Sequence, residues 1–274
     1  LRLLLLKLCL SPALIALVTL AARRWGPGVG GWLAGMPVVA GPTLLAIALE
    51  QGDAFAARAA GSTLVSLIAV AAFALAYARA CAVTTWPRSL LAGLSAFAVT
   101  AAAVHTVAWD LPVALAASLA SYAIAGRLLP EPRGPGSPAV RRAWDLPLRM
   151  ASAVAVIVTV THFAERLGPA WSGALTPFPV ALAILSVFTH AQQGGASAIR
   201  FIRTFLPAMW SFSAFCFAVA VATVPLGHGL GFAAALGLQV AVHGGVLWWM
   251  RARATAGASW PPRQWPGRSR TPSA

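Results

Sequence analysis

The chain has 274 residues, 59% of them hydrophobic and only 9% charged, with a mean hydropathy of +0.78. A soluble fold of this length needs far more polar surface and is excluded, and several apolar runs approach the ~20 residues that cross a bilayer. The net charge of +14 does not mark a nucleic-acid binder, because nineteen of the twenty cations are Arg and most lie between the apolar runs or in the tail, where topology signals beside anionic lipid are found.

Taken in order, the apolar runs predict spans at about 1–22, 31–50, 55–78, 89–108, 111–128, 146–164, 173–191, 198–223 and 229–250. Helix is the only state that fits, since lipid offers no partner to an unpaired backbone group and no barrel-like alternation is present. The fold class is therefore all-α, a polytopic transmembrane helical bundle of about nine spans. Residues 1–22 read as a retained first span rather than a signal peptide, because they have a counterpart deep in the chain. Trp25, Trp32, Trp86, Trp109, Trp144, Trp171, Trp248 and Trp249 fall near predicted span ends, as an interfacial belt requires, whereas Trp210 falls mid-span. Cys9, Cys81 and Cys216 are scattered and read as packing residues. Residues 129–143 form a linker rich in Pro, Gly and Arg, and 251–274 a disordered basic tail.

The strongest pattern is a duplication. Residues 26–58 return at 168–200 with a constant offset of 142, and 11 of the 33 aligned positions are identical, including Pro37 with Pro179, Gln51 with Gln193, Gly52 with Gly194 and Arg58 with Arg200. Upstream, Ala13, Ile15, Val18, Thr19 and Arg24 return as Ala155, Ile157, Val160, Thr161 and Arg166, and Lys7 meets Arg149. The domain plan is a four-span repeat over 1–110, a connector span over 111–128, the linker, and a second four-span repeat over 144–250. Sixteen Lys/Arg follow spans one, three, five and seven or sit in the tail, against four on the other side (Arg2, Lys7, Arg58, Arg166). That bias places the first set in the cytoplasm, the N-terminus outside and the C-terminus inside, in the inner (plasma) membrane. With one connector span the second repeat is inverted relative to the first, a recurrent plan of secondary transporters.

Each repeat carries a proline-broken span: Gly35-Met36-Pro37-Val38-Val39-Ala40-Gly41-Pro42-Thr43 and Thr176-Pro177-Phe178-Pro179. A helix restarting inside the membrane aims free N–H groups inward, which suits an anion or a polar ligand. Pro37, Gly41, Thr43, Thr176, Phe178 and Pro179 are thus the expected substrate-binding residues; the simpler alternative is kinking for close packing at Gly41. The same spans end in Glu50-Gln51-Gly52-Asp53 and His190-Ala191-Gln192-Gln193-Gly194. Glu50, Arg58, His190, Gln193 and Arg200 are the expected coupling or gating residues, with Glu50 the acid best placed to carry a proton, or simply an interfacial cap. Arg58 lies on the cation-poor side, where pairing with Glu50 or with an anionic substrate would account for it. His162 and Glu165 share a helical face and suit either proton handling or solvation, while His105, His228 and His243 read as packing groups. No catalytic set, metal site or phosphate loop is expected, and no cofactor.

The run Ser172-Gly173-Ala174-Leu175-Thr176-Pro177-Phe178-Pro179, followed by a polar-glycine loop and a second long span, resembles GlpM-like multi-span inner-membrane proteins, over mainly residues 146–223, with the first half a diverged copy. That resemblance implies a duplicated and fused unit of four spans and assigns no functional residue. The plan is also similar to a fusion of the antiparallel dimers of small multidrug exporters, without their membrane-embedded glutamate motif.

These readings converge on a non-enzymatic transporter or exporter of a small polar or anionic solute, working by alternating access. The alternative is a non-transporting membrane subunit or scaffold of an envelope complex. The expected partners are the lipid bilayer, the solute and, in one arrangement, a second copy as a homodimer, with no nucleic acid.

Overall fold

The computed structural model describes residues 2–134, 144–167 and 179–255, and the side chains of 9–134, 144–159 and 179–252. Among these residues the fold is all-helical. In chain order the elements are α1 (Arg2–Trp25), α2 (Pro27–Ala34), α3 (Ala40–Gln51), α4 (Asp53–Cys81), α5 (Trp86–Val104), α6 (Leu111–Leu128), α7 (Asp145–Leu167), α8 (Val180–Gln193) and α9 (Gly195–Thr255). Helix α9 is divided at Gly227 (φ 75°, ψ 163°) into two arms. Four described helices are long and apolar enough to cross a membrane: α4, α5, α6 and α9. Helix α8 is apolar but shorter.

Local chemistry accounts for the breaks. Pro27, Pro87 and Pro112 sit in the first turns of α2, α5 and α6, where a missing N–H leaves no hydrogen bond unmade. The span predicted over 31–50 is interrupted at 35–39 around the buried Pro37, and splits into α2 and α3. Gly52 (φ 88°) and Gly194 (φ 82°) each end one helix and begin the next within a single residue, at a backbone conformation that side chains with a Cβ resist. These two glycines are 142 residues apart. The same offset relates Asp53 to Gly195, the first residues of α4 and α9, and Trp86, the first residue of α5, to His228, the residue that follows the break in α9.

Helix α4 is the axis of the bundle. Its buried face is rich in alanine (Ala56, Ala60, Ala69, Ala74, Ala78) around Leu64, Phe73 and Tyr77, which lets neighbouring backbones approach closely. Helix α5 returns along it with the stripe Ser89, Gly93, Phe97, Ala101, and Gly93 seats the Phe73 ring, 2.9 Å from where a Cβ would stand. Helix α6 presents Ala114, Ser118, Tyr122 and Ala125. Tyr122 donates to the Leu67 carbonyl at 2.8 Å, and Ser118 meets Ser213 of α9 at 2.8 Å. At one end Leu111 of α6 lies by Gly61, and at the other the Leu128 carbonyl accepts from Arg79 Nε at 3.4 Å. The connector helix therefore runs beside α4, in the same direction.

Helix directions follow from the end contacts. Asp53, which starts α4, bonds His228 just past the break in α9 (Oδ1 to Nδ1, 3.1 Å). Cys81, which ends α4, lies against Gly195, which starts α9 (Sγ to the carbonyl oxygen, 3.7 Å). Helix α4 and the first arm of α9 are therefore antiparallel. Helices α1 and α7 pack together with Arg23, near the end of α1, on Asp145, the first residue of α7, so they too are antiparallel. The end of the bundle holding Cys81, Gly195 and Asp145 also holds Arg23, Arg24, Arg79, Arg88, Arg127, Arg133, Arg149, Arg200, Arg203 and Arg251; toward the other lie Arg58 and, by their places at the start of α1 and the end of α7, Arg2, Lys7 and Arg166.

Candidate functional site

Helix α8 begins after the buried Pro179 and packs against α1, α2, α5, α7 and α9. Its apolar face (Leu182, Ala183, Ile184, Leu185) is buried, which fixes the helix and leaves its last turn, at the cation-rich end, to carry polar groups. Those groups point two ways, because residues two apart on a helix lie on opposite faces. His190 faces α4, where Tyr77 Oη is 3.4 Å from its Nδ1 and the rings meet edge-on at 6.1 Å. Gln192 faces α7.

On α7, Asp145 and Arg149 are one turn apart and both buried, at 1% and 4% exposure. Arg149 Nε donates to both Asp145 oxygens, each at 3.1 Å, and its Nη2 donates to Gln192 Oε1 at 2.9 Å. Gln192 Nε2 and Arg23 Nη2 also donate to Asp145. The Phe188 ring lies 4.8 Å beneath the Arg149 guanidinium. Two guanidiniums and one carboxylate leave this network with one excess positive charge. Arg23, with a side chain 20% exposed, is its outlet to the surface. Three helices, α1, α7 and α8, are clamped together by one ion network that offers charge complementarity to an anion. Burial pushes the Asp145 carboxyl up, but the hydrogen bonds from Gln192, Arg149 and Arg23 and the charge of Arg149 outweigh it and hold the group below its ordinary value of 3.8.

The residues expected from the sequence fall in several places. His190 is in the last turn of α8 and the half-buried Gln193 ends it. Pro37 is buried in the gap between α2 and α3, and Gly41 is buried beside Phe215, whose Cζ is 3.5 Å from where a Cβ would stand. The Thr43 hydroxyl donates to the Val39 carbonyl at 2.7 Å, so its proton serves the first turn of its own helix. Thr176 and Phe178 lie outside the described residues, as do the side chains of His162 and Glu165. Glu50 is exposed at the far end of the bundle, and Arg58 lies over the Phe55 ring at 5.7 Å rather than against Glu50. Arg200 donates to the Gly134 carbonyl at 3.1 Å, while Arg203 donates to the Pro130 carbonyl at 3.0 Å and meets Glu131 at 3.1 Å. These two arginines dock the start of the linker.

Sequence reasoning passed over Asp145, Arg149, Gln192 and Arg23. A signal was present: Asp145 and Arg149 have the spacing of a helical ion pair, and Arg149 falls within a predicted span, where a cation needs a partner. Comparison of the chain with protein families, curated proteins and solved structures finds no match, so the functional reading rests on this geometry.

Proposed function

We propose that this chain is a membrane protein of about nine spans, built from two inverted four-span copies around the connector helix α6, that moves a small polar or anionic solute by alternating access. The observation that carries this reading is the antiparallel packing of helices related by the 142-residue offset, α1 on α7 and α4 on the first arm of α9. Repeat-related breaks then lie at opposite ends: Gly52 at the Asp53–His228 contact, Gly194 at the Cys81–Gly195 contact. The gathering of cations at one end supports a cytoplasmic placement of that end in the plasma membrane, with the N-terminus outside and the C-terminus inside.

In this reading the two ends are unequal gates. The cytoplasmic gate is the network of Arg23, Asp145, Arg149 and Gln192, whose excess positive charge attracts an anion. The outer gate, among the described residues, is the contact between Asp53 and His228, with side chains 30% and 48% exposed. Rocking one copy against the other opens one gate while the other stays shut.

Purified protein in proteoliposomes should pass at least one of acetate, phosphate, glycerol and urea faster than protein-free vesicles. Joining Asp53→Cys to His228→Cys with a short bis-methanethiosulfonate, with Cys9, Cys81 and Cys216 replaced, should stop that flux at least tenfold, and a reductant should restore it. No flux above empty vesicles for any of the four, or flux indifferent to the tether, would favour a scaffold over a transporter.

A further inference from the structure

The arm of α9 after Gly227 packs through one stripe: Phe232, Ala235, Gln239, His243, Val246 and Met250 are buried while the residues between them are mostly exposed. Two polar residues in the middle of an apolar stripe, exposed by only 2% and 3%, need partners. His243 has partners at Nδ1, on one ring face and at its carbonyl. Its Nδ1 is 2.8 Å from Ser211 Oγ, and Trp32 of α2 stacks on its ring with centroids 4.3 Å apart and donates to its carbonyl at 3.4 Å. The Ser211 hydroxyl gives its single proton to the Ala208 carbonyl at 2.8 Å. Ser211 therefore accepts from Nδ1–H, and the neutral imidazole is left with a bare lone pair at Nε2. Among the described residues that Nε2 has no partner, and neither does the Gln239 amide nitrogen one turn away on the same stripe.

The location is mid-bundle. Gln239 lies about 17 Å along the helix from His228, near half the length of the arm. The broken span is its neighbour: Trp32, just before the break, is on His243, and Gly41, just after it, is on Phe215, which meets the Phe232 ring edge-on at 6.3 Å. The contacts on either side of the gap at 35–39 therefore bracket Gln239 along the arm, which sets the interrupted segment at the same level of the bundle, between the two ends. Ser211, Gln239 and His243 correspond through the 142-residue offset to Ala69, Phe97 and Ala101, so the feature belongs to the second copy alone.

We propose that His243 and Gln239 form a binding site for a small uncharged solute that bears a hydroxyl or carboxamide group. The solute donates to His243 Nε2 and accepts from the Gln239 amide, with Trp32 holding the imidazole ring in place. Among the described residues no charged side chain belongs to this stripe, which sets the class apart from the anion favoured at the cytoplasmic gate. The proposal rests on the transport reading above and narrows it: the cation network screens or gates, and the solute is recognised at the centre without charge.

Proteoliposomes tested with glycerol and urea, and with acetate and phosphate as charged controls, decide the matter. Wild type should pass glycerol or urea, and His243→Phe and Gln239→Leu should each lower that flux at least tenfold while remaining monodisperse and helical. In a background without the three native cysteines, Gln239→Cys should react with a small neutral methanethiosulfonate, and glycerol or urea should slow the reaction. Neutral flux that survives both substitutions overturns the site and leaves transport standing, as does flux confined to acetate or phosphate. Loss of all flux in wild type with Gln239→Cys unreactive from either side overturns the site together with the transport reading. A melting temperature raised by the apolar substitutions with flux unchanged assigns the pair to a buried water only and overturns the proposal.

Discussion

Asp145→Asn will be the most damaging single substitution among the described polar residues. It keeps the side chain's shape but removes the negative charge between Arg23 and Arg149, leaving Arg149 buried without its counter-ion. Breaking a buried pair from one side costs about 3–5 kcal/mol, which for a chain of this size lowers the melting temperature by about 10 °C in detergent. Arg149→Met should be milder, since Asp145 keeps the hydrogen bonds from Arg23 and Gln192, and Asp145→Asn with Arg149→Gln should recover part of the loss. The pH dependence has a definite sign. The folded-state value of Asp145 lies below its ordinary 3.8, so the stability it contributes is fully present above that value and is lost as pH falls through the folded one. The wild-type melting temperature should therefore lose this contribution only below 3.8, with the difference from Asp145→Asn narrowing there. Asp145 therefore keeps its charge across the physiological range, and the gate it closes is held by ion pairing rather than by proton exchange.

The second large effect is steric. A Cβ on Gly31 would collide with the Phe201 carbonyl and the Thr204 hydroxyl, and one on Gly35 with Ala208, so α2 lies on α9 almost backbone to backbone. Backbone cannot yield as a side chain can. Gly31→Ala should cost about 3 kcal/mol and push Trp32 away from His243, visible as a change in Trp fluorescence and a fall in melting temperature. Gly126 and Gly237 are helical and have nothing within 4 Å of a built Cβ. Alanine at either should instead raise stability by about 0.5–1 kcal/mol. A Gly31→Ala protein as stable as these two would mean that α2 does not pack on α9 as described.

These two cases show what local sequence encodes and what it does not. The Pro37 break and the span ends before Gly52 and Gly194 are written in residues that act on their own backbone, and the connector over 111–128 in its apolar run, so each was legible. The 142-residue offset was legible as well, because matched Pro, Gln and Arg are rare by chance among apolar runs. Trp32 was not: its position near a span end suggests the interfacial belt, but its partner His243 is 211 residues away and only packing brings them together. Trp210, unexplained mid-span, tilts against Trp249 at 6.1 Å, another contact between distant residues. Arg200 and Arg58 match in sequence yet lie in different surroundings, one on the linker and one over Phe55. Positions matched by the offset share helix ends, whereas their charge partners are set by what each helix packs against.

The central claim is that equivalent residues of the two copies open on opposite sides of the membrane. Gln51→Cys and Gln193→Cys test it most directly, each alone in a background with Cys9, Cys81 and Cys216 replaced by alanine; they flank Gly52 and Gly194 without disturbing the positive-φ glycines themselves. Intact cells are treated with a membrane-impermeant thiol reagent, and the labelling is repeated after permeabilisation. The inverted plan predicts that the cysteine at 51 labels in intact cells and the one at 193 only after permeabilisation. Labelling of both from the same side would mean that the copies are parallel, and would contradict the inverted architecture on which the proposed alternating access depends.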